Sequence, residues 1–174
     1  MLKTKEEAYK LLESLGASRR LLVHVKLVGE AAEELLAKFQ SLGINLNADF
    51  VRLGVAIHDA GKILHPNELE MKGNQHEPSG EELLLEAGVK PSIARCALSH
   101  ARYDSMDVSF EELVIALSDN LWKGKRAKNL ELRVIDAAAE AMVKTRWEIF
   151  IELDECFEKI ASQGESRLTR SVVL

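Results

Sequence analysis

The stretch that most constrains this chain is Val51 to Lys62, VRLGVAIHDAGK. An apolar run ends in an adjacent histidine and aspartate, His58 and Asp59, with Gly61 and Lys62 close behind. Both side chains lose hydration when buried, and an ion pair or a metal is the usual compensation. A fold that keeps this run inside must therefore bring further polar groups to the same place.

The spacing of apolar residues predicts helices throughout. Thr4 and Glu7 form a capping-box pattern that opens a short helix ending near Gly16. Ser18 is placed to cap a long helix that runs to Gly43, with Leu21, Val25, Val28, Ala32, Leu35 and Phe39 along one stripe. His24 falls on that stripe. Asn47 caps a third helix carrying Val51, Gly54, Val55 and His58 on one side, with Gly61 as its stop. Gly54, one turn before His58, leaves room for another element to approach. Residues 63–75 read as a loop. A fourth helix starts near His76 or Pro78, and a fifth starts at Pro91 and carries Ile93, Cys96, Ala97 and His100 on one face. Ser109 and Glu112 form a capping box for a helix that holds Asp119 among Leu113, Ile115, Ala116 and Leu117. A basic turn leads to a long last helix, Leu130 to Ala161, with Trp122 and Trp147 read as core.

No segment alternates with a period of two between hairpin turns. The expectation is a single all-α bundle of about seven helices over residues 1–164, with a loosely held tail at 165–174. Val172, Val173 and Leu174 in that tail are apolar enough to dock on a partner. The long last helix can pack in cis or pair with a second copy, so a homodimer is one expectation. With 47% apolar and 29% charged residues the chain has an ordinary globular balance, and few aromatics favour helix over strand. A net charge of −5 gives no drive toward nucleic-acid polymers or anionic membranes, so an anionic substrate needs a local basic patch. Cys96 and Cys156 have no C-x-x-C spacing, no apolar leader follows Met1, and no uncharged run spans a bilayer. Together these predict a cytoplasmic protein.

His24, His58, Asp59, His100 and Asp119 thus lie on apolar faces or at their ends, and His76 stands at a helix start in the same central region. Unpartnered burial would cost each of them a few kcal/mol. One metal cluster would satisfy all of them, and imidazoles with carboxylates suit Fe, Mn, Co, Ni or Zn.

The ordered set, with AIHDAGK at its core, LLVHVKLVGEAAEEL before it and ALSDNLWKGKR after it, resembles the HD-domain superfamily of metal-dependent phosphohydrolases across about Arg19 to Arg126. The resemblance implies that His24, His58, Asp59 and Asp119 hold one divalent ion. It implies that His76 and His100 hold a second, with Asp59 bridging. RRLLVH at the front is most similar to the small bacterial branch that includes symmetrical dinucleoside tetraphosphate hydrolases, although the loop between Lys62 and His76 is short. The implied reaction is attack of a metal-activated water on a phosphoester or phosphoanhydride of a small molecule, with a nucleotide as the expected substrate. Asp59 and Lys62 are the expected catalytic residues. Arg20, Lys62, Arg102, Lys123 and Arg126 are candidates for phosphate contact, Arg126 because a guanidinium binds phosphate in a fork. The same ligands would also serve a di-iron oxygenase, or a regulatory module that binds a nucleotide without turnover.

Overall fold

The computed structural model describes residues 1–172, so the docking expected of Val173 and Leu174 lies outside the described residues. Ten α-helices form among these residues: α1 Lys5–Ser14, α2 Arg19–Ser41, α3 Ala48–Ile57, α4 His76–Glu86, α5 Pro91–Ala94, α6 Cys96–Arg102, α7 Phe110–Leu121, α8 Lys128–Ala141, α9 Arg146–Ser162 and α10 Gly164–Ser171. Eight of them run eight residues or longer. No strand forms among the described residues, so the expected all-α class holds. No helix there is long and apolar enough to cross a membrane.

The centre of the bundle is α3. Six of its ten residues are buried, spread round the helix, as suits an element covered on nearly every side. Helices α1, α2, α5, α6 and α7 pack around it. Gly54 sits where expected: a Cβ there would come within 2.3 Å of Ile115 Cδ1 and 3.1 Å of Cys96 Sγ, so its absence lets α6 and α7 close on α3. The predicted stripe of α2 is buried from Leu21 to Phe39. Each such large apolar side chain contributes roughly 1.5–3 kcal/mol when fully buried.

Local signals hold at several helix starts. Leu21 N–H donates to Ser18 Oγ, Phe50 N–H donates to Asn47 Oδ1, and both halves of the Ser109–Glu112 box are made. Four expectations need correction. The third helix stops at Ile57, and the chain continues as a 3-10 turn, Ala60–Ile63. The single last helix is two, α8 and α9, broken at Met142 to Lys144, where Val143 takes a φ of 54°. Residues 165–171 of the expected tail are not loose: they belong to α10, which docks on α2 and α9 and buries Arg167. Trp147, expected in the core, is 73% exposed.

Candidate metal centre

Each of the six candidate ligands arrives from a different helix end or turn. His24 lies in the second turn of α2, His58 caps the C-terminus of α3, and Asp59 follows it directly. His76 opens α4, His100 lies near the end of α6, and Asp119 lies near the end of α7. Gly61 makes the assembly possible. A Cβ there would stand 1.8 Å from the carbonyl oxygen of His76, so only glycine lets the start of α4 reach the turn that carries Asp59.

The donor atoms form two groups that share Asp59. His24, His58, Asp59 and Asp119 offer atoms all within 4.8 Å of one another, as do Asp59, His76 and His100. The two oxygens of Asp59 divide between them. Oδ2 is 2.8 Å from His24 Nε2 and 3.5 Å from His58 Nε2, whereas Oδ1 is 3.3 Å from His76 Nε2 and 3.5 Å from His100 Nε2. Asp119 Oδ1 completes the first group, 3.2 Å from His58 Nε2 and 4.0 Å from His24 Nε2.

His58 Nε2 and Asp119 Oδ1 meet as a hydrogen bond, but the other distances fit an ion better than they fit hydrogen bonds. Two donors about 2.1 Å from one ion stand roughly 3–3.5 Å apart at tetrahedral or octahedral angles. His24 Nε2 and Asp59 Oδ1 are buried without a hydrogen-bond partner among the described residues. The first lies close to Asp59 Oδ2 but out of line with it. The outer ring nitrogens are meanwhile committed. His58 Nδ1 is 2.7 Å from the carbonyl of Val55 and His100 Nδ1 is 3.1 Å from that of Cys96. His76 Nδ1 bonds to the Glu68 carboxylate. Such outer partners orient an imidazole and leave its Nε2 lone pair for a metal.

Glu68 is the functional residue that sequence reasoning missed. Its Oε2 accepts from the ring and the backbone N–H of His76, and its Oε1 accepts from the N–H of Gln75. The carboxylate thus caps the start of α4, which has no cap from its own Gln75 side chain, while it orients a ligand.

The charges are uneven. Burial alone would push the His58 imidazole down, but Asp59 and Asp119 outweigh it and hold the group at about 9. Burial and the neighbouring charge of His58 push His100 down to about 4. Burial opposes the ionised forms of Asp59 and Asp119, yet the adjacent imidazoles keep both carboxyls below the usual range.

A cavity of about 320 Å³ opens beside His24 and Lys62. Arg20, Lys72 and Lys123 give it a basic side, and Leu69 and Trp122 an apolar one. Lys62 Nζ donates to Asp59 Oδ2 at 2.7 Å, and Arg20 is paired with Glu70 at the cavity mouth. Trp122 packs edge-on against His24, with ring centroids 4.9 Å apart. Two expected phosphate contacts are corrected. Arg126 is held by Glu131, Asp154 and Glu158 and does not reach the cavity, because α7 ends at Leu121 and Gly124, at a φ of 85°, turns the chain away from the face of Asp119. Arg102 closes α6 and is spent on the carboxylate of Glu77, outside the cavity lining.

Comparison with known proteins agrees with this geometry. The chain is similar to the uncharacterized protein MJ0778 of Methanocaldococcus jannaschii, at 26% identity over 141 residues, covering 72% of this chain and 79% of that protein. No solved structure matches. A model described as HD domain matches residues 21–139, the span that holds every candidate ligand. With the ligand order and the shared aspartate in place, the chain belongs to the HD domain family.

Proposed function

We propose that this protein is a metal-dependent phosphohydrolase that cleaves a phosphoester or phosphoanhydride of a small molecule, a nucleotide being the preferred class. The observation that carries this reading is the division of Asp59, one oxygen turned to each group of imidazoles. His24, His58, Asp59 and Asp119 would hold one divalent ion, and Asp59, His76 and His100 a second. When bound, such a pair supplies Lewis acidity and a water of lowered pKa.

The chain's own residues supply the rest. Lys62 stands on the Asp59 carboxylate at the rim of the site, where an ammonium can meet the charge of a phosphoryl group. Arg20 would exchange Glu70 for a substrate phosphate, and Lys72 and Lys123 extend the basic side for further phosphates. Leu69 and Trp122 offer an apolar surface for the remainder of the molecule. RRLLVH carries the narrower resemblance to dinucleoside tetraphosphate hydrolases, which defines one arm of the test.

The test is a screen of protein reconstituted with Mn, Fe, Co, Ni or Zn over phosphomonoesters, cyclic nucleotides and dinucleoside polyphosphates, read by released product. Turnover that needs metal and slows in Lys62→Ala, with metal content retained, supports the reading. Metal-loaded protein that releases no product from any of them overturns it. A mixed-valence iron signal would then point to the oxygenase, and binding without turnover to the regulatory module.

A further inference from the structure

Helix α10 lies outside the span that the HD domain model matches, yet it reaches the site. Leu168 and Ser171 line the same cavity as His24, Lys62 and Trp122. We propose that α10 is the selectivity wall of this cavity, with Leu168 the residue that contacts the part of the substrate remote from phosphate and Arg167 the residue that positions it. The proposal rests on the phosphohydrolase reading and adds the element that chooses among phosphorylated molecules.

Arg167 is the reason to treat α10 as placed rather than draped. It is 1% exposed, and a buried guanidinium is costly unless its donors are met; both terminal nitrogens are, while Nε stands 3.8 Å from Glu30 Oε2 with no hydrogen-bond partner among the described residues. Nη1 donates to the carbonyl of Ile160 at 2.8 Å, and the carbonyl of Trp122 is at 3.5 Å. Nη2 donates to Glu34 Oε1 at 2.8 Å and to Gln163 Oε1 at 3.1 Å. One side chain therefore ties the last turn of α9, the C-terminal cap of α7 and the outer face of α2 together. Cations are favoured beside the carbonyl ends of helices. Of these partners, Trp122 packs on His24, so the anchor of α10 touches the residue that flanks a metal ligand. Arg170 adds a two-bond pair with Glu30 on α2.

The start of α10 is equally fixed. A Cβ at Gly164 would stand 2.3 Å from the backbone N of Gly124, so the α9–α10 corner presses directly on the turn that follows α7. With both ends held, Leu168 stays at the cavity with 42% of its surface open. A leucine left open beside Trp122, on a helix held by a buried arginine, suits an apolar or planar group on the substrate. Basic side chains occupy the opposite requirement, the phosphate.

The test uses the full chain loaded with Mn and measures dissociation constants by calorimetry. The ligands are the four common nucleoside 5′-monophosphates and ribose 5-phosphate, which carries the same phosphoester and sugar without a base. The proteins are wild type, Leu168→Asn and Leu168→Met. Leu168 is open enough that its replacement should leave the melting temperature unchanged. Wild type is expected to bind its best nucleotide at least about tenfold more tightly than ribose 5-phosphate, the usual worth of a small apolar contact in a pocket. Leu168→Asn should lose about tenfold for that nucleotide and stay within about twofold for ribose 5-phosphate, and Leu168→Met should keep the wild-type preference. A wild type that does not discriminate, or a Leu168→Asn that weakens both ligands equally or neither, overturns the wall. Discrimination by binding, with no product released from any substrate of the screen described above, would leave the wall standing and remove the phosphohydrolase reading. Hydrolysis without discrimination would do the reverse.

Discussion

His58 and His100 are near-equivalents in place and opposites in charge. Both are buried at helix C-termini, both turn Nδ1 to a carbonyl of their own helix, and their rings lie 4.8 Å apart. Yet His58 is held at about 9 and His100 at about 4. The difference lies in the carboxylates. His58 faces both Asp59 and Asp119, whereas His100 meets one oxygen of Asp59 at 3.5 Å and the charge of His58. An imidazolium on one side already answers Asp59, so a second proton on the other side has little to gain. The two halves of the site thus begin from different protonation states, and metal must displace protons from the first but not from His100 in the second.

The severest way to break this comparison is to remove what the halves share. Asp59→Ala should empty both positions and take turnover to background, as read by elemental analysis and product release. Metal retained at two ions per chain would deny Asp59 its bridging role. Asp119→Asn should act on one half alone. Metal content should fall toward one ion per chain, and the His58 ring signal in the metal-free protein should titrate lower, because one of its two carboxylates is gone. Loss of both ions would show that the second position depends on the first.

Proton competition sharpens the same contrast without mutation. Below about 9, His58 must release a proton to bind metal, so affinity at the first position should climb about tenfold per pH unit from about 6.5 toward 9. At the second position His100 is already neutral above about pH 5, and only His76, which Asp59 and Glu68 hold above the ordinary imidazole range against burial, has a proton to release, so the climb there should level off sooner than at the first. Metal titrations at stepped pH, read in Asp119→Asn and His100→Ala to isolate each half, check this. Equally steep climbs up to about pH 9 at both positions would show that the two halves do not differ in the protons they must release.

What the sequence disclosed follows from periodicity, and what it hid follows from where periodicity ends. His24, His58, His100 and Asp119 could be placed because each shares a helical face with apolar residues that are in fact buried. Gly54 and the Ser109 box were legible because each performs a local task. Glu68 was not, since it lies in a short 3-10 turn, Pro66–Leu69, within a segment that reads as loop and where no spacing says which way a carboxylate points. The break between α8 and α9 carried no glycine or proline; Val143 takes a left-handed φ that a β-branched residue rarely adopts. Helix α10, GESRLTRS, lacks an apolar stripe and reads as a solvated tail, because its anchor is a buried arginine rather than a leucine face. Arg126 was misplaced by extending the register of α7 past its end.

The mildest perturbation sits on the second half. The outer nitrogen of His76 meets a carboxylate, whereas those of His58 and His100 meet backbone carbonyls. Glu68→Gln keeps the shape of that partner and its acceptor oxygen but removes its charge, so His76 becomes a weaker base toward metal. Affinity at the second position should drop about tenfold to a hundredfold, with the first unchanged. The amide oxygen can still accept from the ring and the backbone N–H of His76, while the NH2 group that replaces Oε1 gives up the bond from the Gln75 N–H, so an unchanged melting temperature is the control that assigns the drop to the lost charge. Titration of Asp119→Asn with and without Glu68→Gln reads the second position by itself. Equal affinity in the two would mean that Glu68 serves only as the cap of α4, and that the contrast between the halves ends at Asp119.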